Sequence, residues 1–216
     1  MAWDTERTKQ RLLDAATAEF SAHGLAGARI DRIAATAGVN KERIYQYFGK
    51  KDDLFAIVLA TRLRASMDEV PMRGVGPEAA GDYAGRLFDH HLADDVIPRL
   101  VFWEGLERGA ATSADSARAA YHDEKVERFR ELLPGVDRAT AGELLLTIVS
   151  LVNAWPVLGH LDAFLVGDGP DRAARRRATL VASITALARD AVDAAASEQT
   201  RPADPAASAG RGAEVQ

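Results

Sequence analysis

Apolar side chains return every three or four positions through most of this chain, the period of a helix that buries one stripe. Leu12, Leu13, Ala16 and Phe20 mark the inner face of a first helix, capped by Asp4 or Thr5 and running to about Ala22, where His23 and Gly24 end it. A short helix follows over about Ile30–Ala37 with Ile33 and Ala34 inward, and Gly38 permits a tight turn. Asn40 is placed to cap a third helix over about 41–48, which Gly49 stops. Asp52 and Asp53 favour the start of a fourth, continuing to about Glu69. After the breaker-rich Pro71 to Pro77 link, the pattern predicts four or five longer helices. They fall at about 78–93, 95–108, 114–133, 138–166 and 171–195, with Pro98 and Pro156 as local starts or kinks. No segment reads as a strand and no repeat is visible. From about Ser197 the chain has almost no large apolar side chain and is expected to be disordered. The predicted class is all-α: a three-helix N-terminal head over 1–55, joined by a long helix to a C-terminal helical domain over 56–195, with a tail at 196–216.

The second and third helices, joined at Ala37-Gly38-Val39, have the helix-turn-helix form. At helical spacing Ile44 and Phe48 fall together, facing Leu12, Ala16, Phe20 and Ile33, which points Glu42, Arg43 and Gln46 outward with Lys41, Tyr45 and Tyr47 beside them. Such a helix can enter the major groove of DNA with its first residues at base edges. Arg43 suits a bidentate contact with guanine; Lys41 suits the same or a phosphate. Glu42 can accept from cytosine or act by exclusion. Tyr45 and Tyr47 offer hydroxyls, and Lys51 and Arg29 offer charge, to the DNA backbone. Taken singly, each of these also suits the solvated face of a small bundle. It is the ordered pattern of turn, cap and buried positions that points to DNA.

The stretch from TKQRLLDAATAEFSAHGL through IAATAGVNKERIYQYFGKKDDLF closely resembles the tetracycline-repressor (TetR) family of regulators, over about a quarter of the chain. The resemblance implies a recognition helix at Asn40 to Phe48, a phosphate contact from Lys51, and a helical ligand-sensing and dimerisation domain behind the head. The chain departs from the family pattern in two places. Glu42 stands where a small residue is usual, and Ala28-Arg29 stand where Thr or Ser often opens the second helix, so a hydroxyl cap is lost there with Arg29 as a possible substitute.

In the C-terminal part, Leu144, Leu145, Ile148, Val149, Leu151 and Val152 nearly encircle their helix, and Leu180, Val181, Ile184, Leu187 and Ala188 form a stripe on the last one. These helices either pair across a homodimer as a four-helix bundle, with Ile148, Leu151, Leu180, Ile184 and Leu187 at the seam, or close the monomer's own core. A symmetric dimer matches a palindromic operator. An interhelical effector pocket would draw on Phe88, Phe102, Trp103, Tyr121, Phe129 and Trp155 as walls and on His91, Asn153 and His160 as polar handles, although each aromatic also reads as plain core. His90 with Asp94, and His91 with Asp95, stand at i,i+4, a spacing open to a divalent metal but equally to a solvated ion-pair face.

Charge and composition adjust this picture only slightly. The net charge of −5 is uneven: 1–55 carry nine Lys/Arg against eight Asp/Glu, so the acidity belongs to the remainder. The absence of cysteine excludes disulfides, thiolate metal sites and thiol nucleophiles. No phosphate-cradling loop or nucleophile–base constellation appears, so no catalysis, cofactor or resident metal is expected. The polar N-terminus lacks a secretory pattern, and the apolar run from Leu144 to Leu161 contains Asn153, Pro156 and His160 and reads as a buried helix. The expectation is a cytoplasmic, ligand-responsive regulator that partners double-stranded operator DNA, a small apolar or aromatic effector and a second copy of itself, with no membrane. A helical protein-interaction module without operator binding is the alternative.

Overall fold

The computed structural model describes residues 2–108, 116–167 and 169–200. Among them the chain forms ten helices and no strand: α1 (Ala2–Gly27), α2 (Ile30–Ala37), α3 (Glu42–Phe48), α4 (Lys51–Glu69), α5 (Pro77–Ala93), α6 (Val96–Glu107), α7 (Ser116–Glu131), α8 (Arg138–Val157), α9 (Gly159–Val166) and α10 (Arg172–Thr200).

The N-terminal helices gather round one apolar cluster. Leu12, Ala16 and Phe20 of α1 meet Ile33 of α2, Ile44 and Phe48 of α3, and Leu54, Phe55, Val58 and Leu59 of α4. At its centre Phe20 meets Phe55 edge to face, ring centres 5.2 Å apart. The cluster does not stop at the head: it runs along α4 to Leu63 and Met67 and takes in Ile97 and Leu100 of α6 and Tyr121 of α7. A second cluster joins α5, α7, α8 and α10 through Tyr83, Phe88, Phe129, Leu145, Ile148 and Ile184, among others. Helices α5 and α10 approach unusually closely at Gly81, where an added Cβ would collide with Thr185 Oγ1 and lie 3.0 Å from the Val181 carbonyl.

Several boundaries differ from the sequence expectation, each for a physical reason. Helix α1 breaks at Gly24, whose φ of 68° is left-handed, and then makes a further turn to Gly27. The break lets α6 close in, since an added Cβ on Gly24 would lie 2.6 Å from Glu107 Oε1 and 2.8 Å from the Trp103 ring. The single helix expected over 138–166 is two, α8 and α9, parting at Leu158. The ladder of α8 runs past Pro156 and ends with the Leu158 N–H donating to the Ala154 carbonyl at 2.8 Å, after which the Leu161 and Asp162 N–H groups donate to the Leu158 carbonyl and start α9. Helix α10 continues to Thr200, past the end expected near Ala195. The start of the helix expected over 114–133, and the tail expected to be disordered beyond Thr200, fall on residues outside the described ones.

Helix α8 is long and apolar enough to cross a membrane by length and composition; one face of it, with Ala141, Leu144, Leu145, Ile148 and Val152, is buried against its neighbours, while Leu146 is exposed. Helix α9 has no buried residue, and Leu161, Phe164, Leu165 and Val166 are exposed, Phe164 by 86%.

Candidate DNA-reading face and effector cavity

The outward surface of the head comes from the short helix α3, held by two anchors, Ile44 and Phe48, sunk into the α1–α4 cluster. Asn40 helps start it: its Oδ1 accepts from the Glu42 N–H at a long 3.4 Å, and its carbonyl accepts from the Arg43 N–H at 3.1 Å. Lys41, Glu42, Arg43, Tyr45 and Gln46 are exposed, whereas Tyr47 is half-buried and packs against the cluster that holds the anchors. Arg43 Nη1 donates to Tyr47 Oη at 2.9 Å, and Lys9 Nζ lies 5.9 Å from the centre of the Tyr47 ring, so this edge of the face is ordered before any ligand arrives. Lys41 pairs with Asp31 across the turn at 3.3 Å, an exposed pair of little strength that a competing anion can displace.

The start of α2 shows what replaces the missing hydroxyl. Arg29 is at the N-cap without a side-chain cap of its own. Glu19 of α1 reaches over instead: its Oε1 accepts from the Arg29 N–H at 2.8 Å and from Arg32 Nε at 2.8 Å. Burial pushes the Glu19 carboxyl up, but these bonds and the guanidinium charge outweigh it and leave it below the usual carboxylate range. A carboxylate beside a helix N-terminus is favoured by the helix dipole. Replacing Glu19 with Ala is expected to lower stability by about 2 kcal/mol, since two hydrogen bonds to a charged acceptor are lost. Urea unfolding checks this, and an unchanged midpoint would show that Glu19 does not cap α2. Arg29 itself is exposed. Lys51 is less free than expected: its Nζ donates to the carbonyls of Ala28 at 3.2 Å and Ala26 at 3.4 Å, closing the α1–α2 corner, and only its remaining donor capacity faces outward.

Behind the head lies a cavity of about 210 Å³ between α4, α5, α6, α7 and α8. Three of the residues expected at an effector pocket meet here: His91, Tyr121 and Asn153. The others do not. Phe88 and Phe129 are fully buried as packing elements, Phe88 against Trp155 and Phe129 against Tyr83. Phe102 and Trp103 line a separate depression with Pro156, and the Trp103 Nε1–H donates to the Ser21 carbonyl of α1 at 3.2 Å. Trp155 faces a separate groove beside α9 and α10, where the Arg172 and Arg176 guanidinium groups lie 5.2 and 5.9 Å from its ring centre. His160 is exposed.

The cavity also contains residues that sequence reasoning missed: Ser66, Arg118, His122 and, above all, Lys125. Lys125 is buried, and burial alone pulls its ammonium down to about 8. Its Nζ lies 5.8 Å from the Tyr121 ring centre. Burial, with lesser contributions from the His90 and Lys125 charges, holds His91 down at about 4, so the ring is neutral at physiological pH. Asn153 approaches it, yet neither ring nitrogen closes a hydrogen bond of good geometry, and Asn153 Oδ1 and Tyr121 Oη are also buried without a partner. Burial pushes the Tyr121 hydroxyl up to about 12. A charge in an apolar stretch of helix could have drawn attention to Lys125, but α7 has a weakly amphipathic, charge-rich sequence in which one more lysine does not stand out.

The five residues expected at a dimer seam do not share one environment. Ile148, Leu180 and Ile184 are buried inside the chain, where they close the monomer's own core against α5, which corrects the seam expectation for these three. Leu151 is half-buried and Leu187 is exposed. The His90/Asp94 and His91/Asp95 pairs do not converge: His90 faces Glu69 at 3.4 Å, Asp94 is held by Arg62 at 2.6 Å, Asp95 by Arg99 at 2.8 Å, and His91 turns into the cavity.

A helix-turn-helix with a cationic reading face, mounted on a helical body with its own cavity, defines a DNA-binding regulator. The chain belongs to the TetR family of bacterial regulatory proteins: residues 12–58 match the family's N-terminal model and residues 80–185 match the tetracycline-repressor-like C-terminal domain. It is 42% identical to the HTH-type transcriptional repressor SCO4008 of Streptomyces coelicolor over 172 residues, covering 78% of this chain and 88% of that protein. Among solved structures, the transcriptional regulator SCO4942 of the same organism aligns with a TM-score of 0.63 and 32% identity, over 83% of this chain and 97% of that one. FadR of Bacillus subtilis, solved with stearoyl-CoA, shares the fold at a TM-score of 0.60 and 16% identity, over 85% and 98%.

Proposed function

We propose that this protein is a homodimeric transcriptional repressor of the cytoplasm that leaves a palindromic operator when a small effector enters the body. The observation that carries the reading is the continuity between the reading face and the cavity. Ile97 and Val101 of α6, and Leu63 and Ser66 of α4, line the cavity. Further along α6, Trp103 and Glu107 grip α1 through the Ser21 carbonyl and the Ala26 N–H, the latter bond at 2.9 Å. Helix α4 carries Leu54 and Phe55, against which the head packs. An occupant that displaces α4 or α6 therefore changes the pose of both heads in a dimer, and operator affinity falls as the population shifts. Residues 1–55 serve as the reader and 56–195 as the sensor. The name of the S. coelicolor relative supports repression. The uncovered apolar side chains of α9, with Leu187 of α10, supply a surface suited to a second copy.

The test is selection of bound fragments from the source genome by the purified protein, followed by anisotropy titration of the recovered site. Half-sites are expected about one helical turn apart. Arg43→Ala is expected to weaken operator binding by roughly 10- to 100-fold, about 1–3 kcal/mol, and to relax the base preference at one position per half-site. Equal affinity for random DNA in the wild-type protein would overturn the reading. So would an operator affinity that Arg43→Ala leaves unchanged, as far as the assignment of the reading face is concerned.

A further inference from the structure

We infer that the cavity between α4, α5, α6, α7 and α8 is a binding site for a small organic acid, whose carboxylate is held by Lys125 and whose apolar body lies against Leu87, Ile97, Val101 and Val149; this rests on the reading of the cavity as the effector site.

Four observations converge on it. Lys125 is buried at 9% exposure and no carboxylate stands beside it among the described residues. No residue lining the cavity is acidic, and the nearby buried Glu104 is already engaged by Arg118. Tyr121 Oη is a buried hydroxyl with no partner, on the same cavity wall and one helical turn from Lys125. His91 and Asn153, both over nine-tenths buried, leave further unpaired polar atoms in the same space. A buried ammonium and several orphaned polar groups are each unfavourable when empty. An occupant that accepts from Lys125 and Tyr121 through one carboxylate satisfies the charge and the hydroxyl together. The remaining handles, His91 and Asn153, suit a second polar group on the same molecule.

The alternatives fit less well. A cationic ligand would place like charges together in a medium of low dielectric. A neutral ligand would leave the ammonium uncompensated. A volume of about 210 Å³ suits a monoanion of modest size. The exposed side chain of Leu146 on the lining marks the route of entry.

The test uses the full chain and calorimetric titration with benzoate and octanoate, each against its own primary amide. At least one acid is expected to bind at least about tenfold more tightly than its amide. Lys125→Met is expected to abolish that preference and Lys125→Arg to retain part of it, both proteins unfolding cooperatively on heating. The aromatic and aliphatic arms distinguish the shape of the apolar body. Failure of both acids to bind, equal binding of acid and amide, or a preference that survives in Lys125→Met would each overturn the site. An acid that binds in a Lys125-dependent way without releasing operator supports the site and overturns only the release mechanism. The genomic selection above tests operator binding without any acid present.

Discussion

Lys125→Met is expected to be more stable than the wild-type protein at neutral pH, by about 3 kcal/mol, with an advantage that shrinks as the pH rises. The folded-state value of about 8 stands below the ordinary lysine value of 10.5, and burial is the whole cause. Near pH 7 the folded and unfolded chains both carry the proton, so the folded state bears the full desolvation penalty of the ammonium. Between about 8 and 10.5 the unfolded chain retains a proton that the folded chain has released, so wild-type stability rises through that window. Above it the penalty is gone. Methionine keeps the length and apolar stem of lysine without the charge, so packing is preserved. Urea midpoints of both proteins at pH 7 and pH 10 measure the effect. A variant less stable than wild type at pH 7, or a difference that does not change with pH, would show that Lys125 has a partner in the folded protein. A residue that lowers stability while facing a cavity is the pattern of a functional site, where stability and activity oppose one another. The same substitution should therefore stabilise the fold and remove its response to acids.

The second large effect is expected at Phe20. Its ring is fully buried, edge-on to Phe55 at 5.2 Å, in the cluster that also holds the α3 anchors Ile44 and Phe48. Truncation to alanine leaves a cavity among α1, α3 and α4 that these helices can close only in part, at a cost of about 3–5 kcal/mol. Operator affinity should fall with stability, because α3 has only seven residues and depends on its anchors rather than on its own helical propensity. Since the cluster continues into Ile97, Leu100 and Tyr121, unfolding of the variant is expected in one shifted transition. Two transitions, only the first of them shifted, would show instead that residues 1–55 fold as a separate unit.

Much of the head was legible in the sequence. Ile33, Ile44 and Phe48 fall inward and Arg43 and Gln46 outward because helical periodicity alone assigns faces when a segment is short, capped and bounded by glycine. The body was less legible. Periodicity says that Ile148, Leu180 and Ile184 are buried but not against what, and the close approach of α5 at Gly81 decides that they serve the monomer's core. Aromatic side chains suggested pocket walls, yet Phe88 and Phe129 fill space completely, whereas the cavity opens among aliphatic side chains, Tyr121 and Lys125.

By itself, then, the sequence determined the helical class, the helix-turn-helix and the outward face of α3, because these depend on spacing along one chain. Tertiary structure alone decided the rest. It placed Glu19 over the start of α2 in place of the hydroxyl missing at Ala28-Arg29. It turned Lys51 toward the carbonyls of the α1–α2 corner. It enclosed Lys125 with Tyr121, His91 and Asn153 in one cavity. Each of these joins residues on different helices, and their energies depend on burial and on distances between elements, which no pattern within a single helix encodes.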